Sequence, residues 1–77
     1  MLSIRREKFI KFAGTSPLDG SVVRAEIDVD TADELPETDG ISGRILHQDS
    51  TALIIREGRV AILSGDGHWH INGEMIK

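Results

Sequence analysis

Within the stretch from Ser21 to Asp30, read as one strand, the chain keeps a strict period of two from Val23 onward. Val23, Ala25, Ile27 and Val29 interleave with Arg24, Glu26, Asp28 and Asp30. Successive side chains of a strand point to opposite faces, so this pattern describes a strand with one buried face and one charged face. Charge along such a strand also discourages unwanted edge pairing.

A second organising stretch runs from Ser50 to His70. Ala52, Leu53, Ile54 and Ile55 form an apolar run of strand length. Glu57-Gly58 follows, and glycine accepts the positive φ that a tight hairpin turn requires. Arg59 to Ser64 resumes with aliphatic and β-branched residues, and Gly65-Asp66-Gly67 is a second strong turn signal. His68 to Ile71 then pairs back antiparallel, with Asn72-Gly73 offering one more turn. The expected unit is a three-stranded meander.

The flanking segments are shorter. Lys8 to Phe12 is read as a strand, preceded by residues 1–7 as a flexible basic arm. Gly14-Thr15-Ser16-Pro17-Leu18-Asp19-Gly20 is turn chemistry throughout. Thr31, followed three residues later by Glu34, fits a capping box, and Pro36 stops the segment after at most one helical turn, Thr31 to Leu35. Gly43 to Asp49 is a further strand leading into the meander. The expectation is therefore a mainly β chain: a small antiparallel sheet or meander of about five short strands, in one domain spanning residues 1–77.

Size decides what such a sheet needs. At 77 residues with no cysteine, the chain has neither disulfides nor thiolate metal ligands to reinforce a small core. Only Phe9, Phe12 and Trp69 are aromatic. Oligomerisation is the remaining usual source of support, so a homo-oligomer or a protein partner is expected. The net charge of −4 gives no electrostatic reason to bind nucleic acid or an anionic membrane. No apolar run approaches the roughly 20 residues of a membrane span, and no apolar signal-peptide segment opens the chain. Charge is unevenly placed: Arg5, Arg6, Lys8 and Lys11 face only Glu7 near the start, whereas residues 19–39 hold eight carboxylates against Arg24 alone. A basic arm and an acidic centre attract each other, within one chain or between subunits.

No chemistry-bearing motif emerges. His68-x-His70 is a two-imidazole pair whose third ligand would have to come from His47 or a carboxylate, so no metal is assigned. Asp28-x-Asp30 with Asp33 and Glu34 misses the calcium-loop pattern, lacking its central glycine and its late glutamate. No nucleophile elbow and no phosphate-cradling glycine loop occurs, and a chain this small leaves little room for a substrate pocket. No catalytic residue, cofactor or small-molecule substrate is expected. The residues singled out are apolar: Trp69, Val23, Ile27, Val29, Ile54 and Ile62, as core or interface. Trp69 carries the largest burial and an N–H needing a partner, which suits either a core anchor or an interface hot spot.

One resemblance extends across most of the chain. Asp33-Glu34-Leu35-Pro36, Asp39-Gly40-Ile41-x-Gly43, Ala52 to Ile55, Arg59 to Leu63 and Gly65-Asp66-Gly67-x-Trp69 resemble segments of small structural proteins of tailed bacteriophages and prophages of Gram-positive bacteria, and Lys8 to Asp30 resembles their lead strands. The strands here hold no tyrosine, and Arg56-Glu57-Gly58 stands where such proteins commonly carry a threonine-glycine turn. The resemblance implies a non-enzymatic virion protein, acting by assembly with itself or with other virion proteins in a head- or tail-associated structure. It places the protein in the virion, or otherwise in the bacterial cytoplasm, and transfers no catalytic residue. The other reading is a small cytoplasmic regulatory module binding through the acidic Asp28–Asp39 surface.

Overall fold

A computed structural model describes residues 1–12, 20–41 and 43–77. The turn expected across 14–19 lies outside them. The described chain is mainly β: β1 (Ser3–Phe12), β2 (Ser21–Val29), β3 (Arg44–Leu46), β4 (Thr51–Ile54), β5 (Arg59–Leu63), β6 (Trp69–Ile71) and β7 (Glu74–Met75). One 3-10 turn, Ala32–Glu34, is the helical element among these residues.

A single sheet holds all seven strands, in the order β1-β2-β4-β5-β6-β7, with β3 also paired to β2. β4, β5 and β6 form the expected antiparallel meander, with Leu53 opposite Val60 and Leu63 opposite Trp69. The turns behave as their residues require. Asn72 and Gly73 both take positive φ, 52° and 82°, in the two-residue hairpin joining β6 to β7. Gly58, at φ 64°, closes the β4–β5 turn by donating its N–H to the Ile54 carbonyl at 2.9 Å.

Three expectations need correction. Among the described residues there are seven strands and not about five: every segment read as a strand forms one, and Asn72-Gly73 leads into a further short strand, β7. Residues 3–7 are the first half of β1 and not a free arm: Ser3 pairs with Asp28, and Ile4 packs on the core opposite Ile27. The cations of this segment find carboxylates beside them, Arg5 on Asp28 at 2.6 Å and Arg6 on Glu26 at 3.4 Å. The attraction between basic and acidic segments thus operates within one chain. Third, the sheet is not wholly antiparallel, since β3 and β4 both run parallel to β2. A parallel pair needs a long crossover, and the segment that leaves β2 after Val29 and carries the 3-10 turn Ala32–Glu34 supplies it.

That crossover also builds the core. Val23, Ala25, Ile27 and Val29 of β2 pack with Ala52, Ile54, Ala61, Leu63, Trp69 and Ile71 from the sheet. Leu35 from the crossover joins them, with Ala32 and Ile41 half-buried beside it. Glu34 holds the turn in shape by accepting the Thr31 N–H at 3.2 Å and the Asp30 N–H at 2.7 Å. The Trp69 indole N–H donates to the Pro36 carbonyl at 2.8 Å, tying β6 to the crossover.

Between β3 and β4 the chain breaks step at Asp49, which has φ 77°. Ser50, the fully buried polar residue among those described, mends the break. Its Oγ accepts the Ala25 N–H at 3.1 Å and donates to the His47 carbonyl at 2.7 Å. β2 is thereby bonded on this side along most of its length: to β3, to the serine, then to β4.

Candidate functional site

The sheet has two faces, and the six apolar residues named from sequence divide between them. Trp69, Val23, Ile27, Val29 and Ile54 are all buried in the core. Ile62 is not: half its surface (50%) is exposed, because it alternates with the buried Ala61 and Leu63. Its β5 neighbour on the same face, Val60, is 52% exposed. Pairing extends this face across the sheet. Ile62 lies between Thr51 and His70, Val60 lies opposite Leu53, and His70 lies opposite the exposed Met75. The outer face of β4–β7 is therefore an apolar ridge of Leu53, Val60, Ile62 and Met75, with Thr51 and His70 set into it.

Reading the sequence missed Val60, Leu53 and Met75. The signal was faint because Arg59-Val60-Ala61-Ile62-Leu63 is apolar at both parities. Only the small size of Ala61 beside two larger neighbours hints at which side is crowded.

Beyond this ridge the outer face becomes charged. Arg6 and Glu26 pair there, and Lys8 stands directly opposite Arg24. An open recess of about 430 Å³ is lined by Arg6, Glu7, Lys8, Arg24, Glu26, Asp49 and Thr51. On the core-side margin Arg44 grips Glu7 with Nε at 2.6 Å and one terminal nitrogen at 3.1 Å. That bond, with the guanidinium charge, holds the Glu7 carboxyl below the ordinary glutamate range and raises Arg44 further.

The acidic stretch is largely occupied within the chain. Asp28 takes Arg5, and Asp33 accepts the Thr31 hydroxyl, which lowers its pKa. Glu34 binds two backbone N–H groups and, with Asp30, lies against the Met1 amine; its own pKa is lowered, chiefly by that amine.

The three histidine rings each have a different hydrogen-bond partner. His47 Nδ1 lies 2.7 Å from the Gln48 carbonyl, and His68 Nδ1 lies 3.1 Å from the Lys77 carbonyl. His70 Nε2 lies 3.0 Å from Asp66 Oδ2. Asp66 also accepts the His68 backbone N–H at 2.9 Å. That bond is the main reason its pKa falls below the usual aspartate value, with His70 adding to it. Among the described residues no three or more His, Asp or Glu side chains gather to hold a metal ion. Nor is any helix among them long and apolar enough to cross a membrane.

The segments behind the phage resemblance take structural positions. Asp33-Glu34-Leu35-Pro36 forms the crossover turn, and Gly65-Asp66-Gly67 forms the β5–β6 turn that delivers Trp69. The chain matches no family model, no curated protein and no solved structure.

Proposed function

We propose that the chain is a non-enzymatic structural module that works by assembly, packing the outer ridge of β4–β7 against a second copy of itself. The observation that supports this is the half-exposed row Val60, Ile62 and Met75, flanked by Leu53, on an otherwise regular sheet face. A two-fold axis lets such a ridge meet its own equivalent, and two sheets pack naturally face to face.

Energetics set the strength of this contact. Full burial of a Val, Ile or Met side chain is worth about 1.5–3 kcal/mol, so three half-exposed ones give roughly 2–4.5 kcal/mol per copy. Two copies together supply about 4.5–9 kcal/mol, against an association cost of about 4–15 kcal/mol. An isolated pair is therefore weak. Such a contact becomes useful when repeated, since linked contacts raise avidity without new chemistry. A many-copy particle provides that setting. The head- or tail-associated structure of a tailed bacteriophage is the particle we propose, on the resemblance alone.

Sedimentation equilibrium tests the assembly reading. From about 10 μM to about 1 mM the average mass should climb towards a dimer. Ile62→Lys, which places a charge on the ridge and leaves the core untouched, should return the mass to that of a monomer. Dimerisation that survives Ile62→Lys would refute the assignment of the ridge, and a monomer throughout the range would refute self-assembly.

A further inference from the structure

A different surface, the outer edge of β1, carries a proposal of its own. β1 is ten residues long and ends the sheet, and among the described residues no strand pairs with its far side. An edge of this kind presents unpaired backbone N–H and C=O groups, which an extended segment of another chain can bond.

Charge along the edge selects the segment. Five ionisable side chains sit on β1, and three already have partners: Arg5 on Asp28, Arg6 on Glu26, and Glu7 on Arg44. Among the described residues neither Lys8 nor Lys11 forms an ion pair with a carboxylate. Lys8 instead faces Arg24 across the β1–β2 ladder, a like-charge rung where its neighbour, Arg6 with Glu26, is compensated. Directly opposed like charges are unfavourable, and an anion placed beside them relieves the repulsion. The recess over this rung is open and mixed in charge: Arg6, Lys8, Arg24 and Thr51 line it together with Glu7, Glu26 and Asp49, of which Glu26 is paired with Arg6 and Glu7 with Arg44.

We propose that the β1 edge accepts an extended, acidic segment of a partner protein by strand addition, with its carboxylates at Lys8 and Lys11. The stretch from Arg6 to Phe9 runs in unbroken register between two irregularities, so four residues of regular strand are available. A second copy of β1 is the wrong partner, because pairing two such edges brings Lys8 and Lys11 of each against further cations. The interruptions at both ends and the lysines together repel unrelated edges while admitting an acidic one. Backbone pairing distinguishes this partner from a nucleic acid, as does the net charge of −4.

The test uses the whole chain, isotope-labelled, and three probes: a blocked hexapeptide alternating Val and Glu, its Val-Lys counterpart, and a single-stranded oligonucleotide. The Val-Glu peptide should shift the backbone amides of Arg6 to Lys11, slow their hydrogen exchange, and lose affinity as salt rises. Lys8→Glu should weaken it at least tenfold and favour the Val-Lys peptide, with Lys8→Ala intermediate. Ile62→Lys should leave it unchanged, which separates this edge from the outer ridge. Equal binding of both peptides, indifference to Lys8→Glu, shifts centred on β5, or preference for the oligonucleotide would each overturn the proposal.

Discussion

Removing one hydroxyl tests how β2 is held. Ser50→Ala deletes the oxygen that accepts the Ala25 N–H, at a site where Ser50 and Ala25 are each 1% exposed. Water cannot replace the acceptor, so a buried donor is left unpaired at a cost of about 1–3 kcal/mol. The His47 carbonyl is less affected, since it also accepts the Ser50 N–H at 3.2 Å. A chain of this length has a total stability of about 4–12 kcal/mol, so the loss is a substantial share. At roughly 4–8 °C per kcal/mol for a domain of this size, the melting temperature should fall by at least about 4 °C. Urea unfolding followed by circular dichroism measures the loss, and the slope should stay constant while the midpoint moves. Hydrogen exchange adds a local readout: the Ala25 amide should exchange faster than its β2 neighbours do. A stability change under about 0.5 kcal/mol with Ala25 still protected would refute the reasoning.

Other substitutions probe the rest of the frame. Trp69→Ala empties the core centre and breaks the bond to Pro36, costing about 3–5 kcal/mol and leaving the chain largely unfolded by circular dichroism. Trp69→Phe should remain folded but weakened, because the ring stays while the Pro36 carbonyl loses its donor. Gly40→Ala should also destabilise, since a Cβ there would lie 3.1 Å from the Glu37 nitrogen and 3.2 Å from its carbonyl oxygen, both backbone atoms with little freedom to move. Glu7 links pH to stability. Its folded pKa lies below the ordinary 4.5, so the Arg44 bond contributes above pH 4.5 and fades as pH falls through the folded value. Melting curves of the native chain and of Glu7→Gln should differ modestly near neutrality and converge in acid.

Much of this frame is readable from residue patterns, and the failures have physical causes. β2 declares its buried face because its other parity is charged at Arg24, Glu26 and Asp28. The Glu57-Gly58 and Asn72-Gly73 turns follow from what glycine permits. β5 hides its faces because Val60 and Ile62 are as apolar as Ala61 and Leu63, so Ile62 reads as core when it is surface. The parallel pairing of β2 with β4 depends on Leu35 anchoring the crossover under the sheet, a contact between residues far apart in sequence. Ser50 shows the same difficulty in sharper form: a serine opening a strand is unremarkable until Ala25 arrives beside it. Early β1 reads as an arm because its cations look solvated, whereas Asp28 and Glu26 are the neighbours that order it.

Whether the ridge joins copies can be settled by dilution. A concentration series of backbone and methyl NMR spectra should show shifts that grow with concentration at Leu53, Val60, Ile62, His70 and Met75, while the core methyls of Val29 and Ile54 stay fixed. Spectra that remain identical into the millimolar range, or changes confined to the crossover around Glu37 and Asp39, would contradict assembly through this face.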